Sequence, residues 1–277
     1  METLSSDALL RCKNETIDIN PTTIQRFALV RRSSLFDGLS DSECFQIAQD
    51  SRQKTFSRNE VVFRQDEQFQ KLILIESGFV KLSHLSHNGA EVILGLRGPT
   101  DAVHVTGSPS HDVHRFSARA MVTCRTLTWK WSILEDFLIK MPRFISNIGQ
   151  ILENQLSDLQ DRYCEMSSEK VDARLSWVLI RLARQVGSKR AGGVEIAISR
   201  LELAQMCGAT LFTVSRLISK WGAQGLVLPR REGIVVLDTD PAHFISDPDA
   251  GERSSGICEN NQRITARRRA QEIFRMI

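Results

Sequence analysis

The feature that most restricts this chain is the run ISRLELAQMCGATLFTVSRLISKW, residues 198–221. It holds two short segments with helical apolar spacing and a turn at Gly208 between them. Ser199 is placed to cap the first segment, predicted from Arg200 to Cys207, with Glu202 at its positive end. Thr210 is placed to cap the second, predicted over about Leu211 to Trp221. Val214, Leu217, Ile218 and Trp221 form the apolar stripe of that second segment. The same spacing turns Phe212, Thr213, Ser215, Arg216, Ser219 and Lys220 outward. GLVLPRREGIVVLD follows, two β segments around Pro229 to Gly233 with Arg230 and Arg231 at the tip. Two short helices about a glycine turn, the second polar and basic outside, followed by a β hairpin, predict a winged helix-turn-helix.

That unit points to duplex DNA as its partner. Net charge is only +3, so a basic surface has to be local, and these basic groups fall on one unit. Arg216 carries the planar fork that matches guanine O6 and N7, which makes it the candidate base reader. Thr213 and Ser215 are suited to phosphate or a base edge. Phe212 offers apolar contact to a thymine methyl, or is a buried helix contact instead. Ser199, Arg200 and Thr210 stand at helix starts, where backbone N–H groups and the dipole favour phosphate. Lys220, Arg230 and Arg231 suit the DNA backbone better than bases.

Upstream, the 277 residues, 42% hydrophobic, suffice for two modest domains. Residues 1–30 read as a loose or partly helical arm. In LFDGLSDSECFQIAQD, Ser40 or Asp41 is placed to cap a helix burying Cys44, Phe45, Ile47 and Ala48. From Gln53 to about Trp131, EVVFRQ, KLILIES, GFVKLSHL, EVILGLRG, RFSARAMV and CRTLTWKW alternate with turn residues and predict antiparallel strands of a sandwich or barrel. Asn88-Gly89 supplies a hairpin turn. WSILEDFLIKM predicts a helix stopped at Pro142. Beyond it, Phe144, Ile148, Ile151, Leu152, Leu156, Leu159 and Tyr163 recur at steps of three and four. That stripe predicts a long helix that pairs across a dimer axis, or packs on its own domain. KVDARLSWVLIRLARQVG predicts a further helix burying Leu175, Val178, Leu179 and Leu182, and VEIAIS a short strand. SDPDAGERSSG reads as a linker, and QRITARRRAQEIFRMI as a frayed tail or a short basic amphipathic helix.

With these parts in order the chain resembles the Crp/Fnr family of bacterial transcription regulators. LFDGLSDSE, FRQDEQFQKLILIESGFVKLSHLSHNGAEVIL and the stretch from Ile198 to Asp238 carry the resemblance, which spans about Leu35 to Asp238. It implies an α+β fold: an N-terminal antiparallel β-roll (a double-stranded β-helix), a long dimerisation helix and a C-terminal winged helix-turn-helix. The implied boundaries are an arm at 1–30, a sensor roll at 31–141, a dimerisation helix at 142–166, a DNA-binding domain at 167–240 and a flexible, partly basic tail at 241–277. It also implies a cytoplasmic homodimer on a two-fold symmetric operator, controlled through an effector at the roll, with RNA polymerase as a candidate partner. Family members that read a guanine-containing half-site carry Glu three residues before the Ser-Arg pair, where this chain has Phe212.

Cyclic-nucleotide binders in the family use a Gly-Glu pair and a later Arg-Ser pair. RGPTDAVHVTGSPSHDVHRFSARA has no Gly-Glu, and His114-Arg115 takes the Arg-Ser place. His114, Arg115 and Arg119 are therefore the candidate effector-pocket residues; no cofactor is predicted and the effector is unassigned, with a cyclic nucleotide left open although its motif is not matched. Cys12, Cys44, Cys124, Cys164, Cys207 and Cys258 lie too far apart for a zinc ribbon or a four-thiolate cluster. Cys44, Cys124 and Cys207 read as small core residues. His84, His87, His104, His111 and His114 lack the His-x-His and following Glu of a cupin-type metal enzyme, so they read as solvated loop residues and no metal is expected. GxSxG, P-loop and GxGxxG motifs are absent, which argues against an enzyme. No run has the roughly 18 apolar residues of a membrane helix. The rival readings are a sensor or scaffold acting through protein partners alone, and a cupin-like metal binder.

Overall fold

The structure is a computed structural model that describes residues 21–87, 89–105, 113–190, 192–238 and 241–244. Asn88, His111, Cys12, Cys258 and the predicted basic tail helix lie outside the described residues.

The first element is α1 (Pro21–Arg32), so the arm read as loose or partly helical is helical from Pro21. Leu29 and Val30 are buried, and Arg26 and Arg31 donate to the carbonyls of Ser51 and Leu39, both at 3.0 Å. A 3-10 turn, Ser34–Phe36, leads into α2 (Asp41–Asp50). Ser40 starts α2 with a reciprocal box: its hydroxyl accepts from Glu43 N–H at 3.3 Å, and its own N–H donates to the Glu43 carboxylate at 2.7 Å. Cys44, Ile47 and Ala48 are buried as the spacing predicts, whereas Phe45 is half-buried against Phe27.

Among the described residues seven strands follow: β1 (Arg52–Phe56), β2 (Val61–Phe63), β3 (Lys71–Ser77), β4 (Val80–Leu85), β5 (Glu91–Arg97), β6 (Ser117–Ala120) and β7 (Cys124–Lys130). They form two antiparallel sheets, ordered β1-β7-β3 and β2-β6-β4-β5. Strand alternation explains their packing. Ile73 and Ile75 face the opposite sheet with Phe56, Val80, Leu82 and Ala118. Leu72 and Leu74 point the other way, with Leu127 and Trp129, into a core shared with the helices. Beyond Leu85, Gly89 at φ +81° turns the β4–β5 hairpin, and Ser86 N–H reaches the Ala90 carbonyl at 2.9 Å.

α3 (Trp131–Lys140) stops short of Pro142, which opens the 27-residue α4 (Pro142–Ser168). The stripe of α4 divides in two. Phe144 stacks on Phe36 with ring centroids 5.7 Å apart, and Asn147 donates to the carbonyls of Leu35 and Asp37. Phe144 and Ile148 are thus already buried in the protomer's own core. Ile151 is half-buried, and Leu152, Leu156, Leu159 and Tyr163 are exposed, with Ile145 and Met166 beside them.

The C-terminal unit comprises α5 (Val171–Val186), β8 (Ser188–Arg190), β9 (Gly193–Ile196), α6 (Arg200–Cys207), α7 (Leu211–Ala223), β10 (Val227–Pro229) and β11 (Ile234–Val236). Its sheet runs β10-β11-β9-β8. Leu175, Val178, Leu179 and Leu182 join Val214, Ile218 and Trp221 in one core, and Phe79, Leu96 and Met121 of the roll complete it. A 3-10 turn at Pro241–Phe244 closes the unit: Trp221 donates its indole N–H to the Phe244 carbonyl at 3.0 Å, and the two rings meet edge to face at 4.9 Å. Residue 244 therefore belongs to this core and not to a flexible tail beginning at 241.

Trp129 ties the roll to α2, with its indole N–H on the Ile47 carbonyl at 2.8 Å and its ring against Phe36. Trp129→Ala should cost about 3–5 kcal/mol of stability, read from urea unfolding followed by circular dichroism. A loss under about 1 kcal/mol would contradict this packing.

Candidate nucleic-acid interface

The geometry of the interface is set by how α6 and α7 begin. The Ser199 hydroxyl accepts from Glu202 N–H at 3.2 Å, while Glu202 accepts from Ser199 N–H at 2.9 Å and from its hydroxyl at 2.8 Å. This box satisfies orphan donors of the α6 N-terminus. At the other end Gly208 takes the left-handed conformation, φ +60° and ψ +44°, and its N–H closes on the Ala204 carbonyl. A Cβ there would stand 2.4 Å from the Met166 methyl carbon. Thr210 then caps α7, accepting from Thr213 N–H at 3.1 Å.

Along α7 the buried residues are Val214, Ile218 and Trp221, with Leu217 half-buried. The opposite face carries Phe212, 76% exposed, and Arg216, Ser219 and Lys220, all exposed. Thr213 and Ser215 are half-buried at the edges, so they reach less far than Arg216. The Thr213 hydroxyl lies 2.9 Å from that of Thr210, and the Ser215 carbonyl accepts from the Ser219 hydroxyl at 2.9 Å. Ser199 and Thr210 are exposed and Arg200 half-buried. Arg230 and Arg231 are exposed at the β10–β11 turn, which Arg230 N–H closes on the Gly233 carbonyl at 2.9 Å. Leu201, Leu211 and Leu228 are also exposed, apolar surface on this unit that the charge pattern alone does not reveal.

The interface is registered on the roll through one buried cation. Lys81, on the outer face of β4, places Nζ 3.2 Å from Glu91 and 3.7 Å from Glu202, the carboxylate that closes the α6 cap. Burial pushes the Glu91 carboxyl up, but the Ser83 hydroxyl and Lys81 outweigh it and hold it below the usual carboxylate range. Arg58 of the β1–β2 turn meets Glu232 of the wing at 2.8 Å, an exposed pair of small energetic value. Arg162 of α4 donates to the Leu94 carbonyl, lying over Gly95, and Gln185 of α5 donates to the Leu96 carbonyl at 2.7 Å. Arg181 meets Glu165 in a two-pronged ion pair at 2.6 and 2.9 Å.

The three candidate effector residues do not converge. His114 is buried, stacked on Phe63 with centroids 3.6 Å apart, and its Nδ1 is 2.8 Å from that of His104. Arg115 is exposed, and its carbonyl meets His84 Nδ1 at 3.1 Å. Arg119 is exposed and donates to the Asn59 carbonyl at 2.8 Å. His104 and His114 belong to an aromatic cluster with Phe63, Phe69 and Phe116, which corrects their reading as solvated loop residues. Among the described residues, no group of three or more His, Cys, Asp or Glu is arranged to hold a metal, and no helix is long and apolar enough to cross a membrane. Cys44, Cys124 and Cys207 are buried free thiols, and burial raises the pKa of each.

Comparison with known proteins matches both units. Residues 53–140 fit the model of a cyclic nucleotide-binding domain, and residues 173–240 that of a Crp-like helix-turn-helix domain. Transcriptional activator protein Anr of Pseudomonas protegens is 23% identical over 189 residues, 68% of this chain and 77% of its own. The CRP-like cAMP-activated global transcriptional regulator of Mycobacterium tuberculosis is 23% identical over 214 residues, 76% of this chain and 95% of its own. The solved structure of FixK2 from Bradyrhizobium japonicum shares the fold, with a TM-score of 0.62 at 20% identity over 71% of this chain and 98% of that one. His114, which the resemblance sets at the place of the Arg-Ser pair, has its ring stacked on Phe63.

The glycine turn gives a direct test of this geometry. Gly208→Ala should lower stability by about 1–2 kcal/mol through the left-handed backbone, and Gly208→Asn by less. Thermal unfolding of both variants reads the difference; equal stability of all three proteins would contradict the turn.

Proposed function

The chain belongs to the Crp/Fnr family of DNA-binding transcription regulators, and from that premise we propose that it acts as a homodimer on a palindromic operator. One observation carries the reading. Arg216 is exposed on the face of α7 opposite Val214, Ile218 and Trp221, so the fold spends the apolar side of α7 on its own core and presents a guanidinium to solvent. In this reading α7 lies in the major groove, Arg216 reads guanine O6 and N7, and Ser215 and Thr213 contact a base edge or the sugar-phosphate chain. Ser199, Arg200, Thr210, Lys220, Arg230 and Arg231 hold phosphates.

The exposed apolar row of α4 supports the dimer. Leu152, Leu156, Leu159 and Tyr163, with Ile145 and Met166, leave a face that a second copy of the same helix covers. Two such protomers set their α7 helices about 34 Å apart, one turn of DNA. Signal then acts by re-orienting the winged units about α4 and across the Lys81–Glu202 junction. The compartment is the cytoplasm, in keeping with the free thiols at Cys44, Cys124, Cys164 and Cys207. RNA polymerase is the candidate protein partner. The roll's effector is of a class other than a cyclic nucleotide held through an Arg-Ser pair.

Selection of bound duplexes from a random pool tests the reading, and recovery of an inverted repeat is the expected result. On that repeat, Arg216→Ala should cost about 1–3 kcal/mol and relax one base position, whereas Arg231→Ala should weaken all sequences alike and lower the salt dependence. An Arg216→Ala protein with unchanged base preference would remove the assignment. Leu156→Glu should shift sedimentation from dimer to monomer, with loss of operator affinity; a Leu156→Glu dimer as tight as the wild type would place the interface elsewhere.

A further inference from the structure

Phe212 is the most exposed large apolar side chain of the DNA-binding unit, at 76%. It is the second residue of α7, in the turn where a recognition helix meets base edges. It makes no ring contact among the described residues, and the core of the unit is complete without it. The alternative that Phe212 is a buried helix contact is therefore closed. Arg216 lies four residues on, one helical turn along the same face and about 6 Å further down the axis. That rise corresponds to roughly two base steps of 3.4 Å.

A phenyl ring has neither donor nor acceptor. Facing a guanine or cytosine edge, it would strip water from O6, N7 or the N4 amino group and return nothing. The one apolar group in the major groove is the thymine C5-methyl. We propose that Phe212 is a specificity-determining residue that packs on a pyrimidine C5-methyl, so that each half-site carries a thymine within about two base steps of the guanine read by Arg216. The inference rests on the reading of the chain as an operator-binding dimer. It names a chemical group on the DNA, a methyl, that the protein reads at the position where family members carry a carboxylate suited to cytosine N4.

The test uses the full-length protein and the inverted repeat recovered by selection. Each recurrent thymine near the guanine is replaced in turn by uracil, which differs only in lacking the methyl, then by cytosine and by 5-methylcytosine. At one position uracil should weaken binding about fourfold per half-site, and about sixteenfold when both half-sites are changed, from the transfer of one buried methyl each. At that position 5-methylcytosine should bind better than cytosine. Phe212→Ala should bind the thymine and uracil duplexes alike, and Phe212→Glu should move the preference to cytosine. Equal binding of thymine and uracil duplexes by the wild type at every position, with Arg216→Ala still relaxing the guanine, overturns the methyl readout and leaves the operator reading standing. Failure to recover any inverted repeat overturns both. The uracil comparison is made on the unaltered protein, so it holds whatever the variants do to folding.

Discussion

Complete burial of Val214, Ile218 and Trp221 is the constraint from which the interface follows. With about 100° between successive residues of a helix, fixing those three against the core leaves residues 212 and 216 nearly opposite them. No side-chain interaction is needed to aim Arg216 outward; rotation of α7 in either direction would pull Trp221 off the Phe244 carbonyl and ring. The entry angle is fixed by a second economy. Gly208 absorbs the left-handed turn, Ser199 and Glu202 satisfy the start of α6, and Thr210 satisfies the start of α7. The chemistry of the exposed face is thereby free to vary without cost to the fold, and position 212 carries such a variation.

The roll and the winged unit share one apolar junction, and charge gives that junction its register. Phe79, Leu96 and Met121 enter the winged core without directional preference. Lys81 supplies direction, because a nearly buried ammonium needs its carboxylates. Glu202 is one of them and also completes the α6 cap. A shift of β4 against α6 therefore either carries the helix start with it or leaves Lys81 with Glu91 alone. Arg162 and Gln185 add bonds to the carbonyls of β5, so that strand is bound by both α4 and α5. Exposed Arg58–Glu232 contributes little beside these.

What the sequence revealed and what it hid have physical reasons. The helix-turn-helix was legible because three local rules agree there: caps, a glycine at a left-handed position, and a 3.6-residue apolar period. β3 was legible as a run of apolar residues because it is buried on both faces. β1, sequence RQKTF, buries only Phe56, and β8, sequence SKR, buries nothing, so backbone pairing alone makes them strands and no side-chain pattern announces them. α1 was legible only as a partly helical arm because its buried residues gather at one end, at Leu29 and Val30. The stripe of α4 is continuous in sequence, yet Phe144 and Ile148 serve the protomer and Leu156 to Tyr163 do not; periodicity cannot distinguish two partners on one face. Phe244 follows a polar stretch, and its place beside Trp221 depends on a contact 23 residues away in sequence.

The histidines were misread for a related reason, and the correction bears on the roll's chemistry. An imidazole in a stretch rich in Ser, Gly and Asp looks solvated, but His114 packs on Phe63 and Phe69, which arrive from an earlier segment of the roll. Stacking on Phe63 and the 2.8 Å approach of His104 give the ring both an apolar and a polar partner. An anionic ligand at this place would need an unpaired cation facing inward. The two nearby arginines, Arg115 and Arg119, are instead exposed, and Arg119 is spent on the Asn59 carbonyl. Beside this cluster the strand register is regular, with Ala118 and Ala120 paired with Leu82 and Val80. The roll's junction with α6 runs through Lys81 and Glu202, residues separate from the His104–His114 cluster.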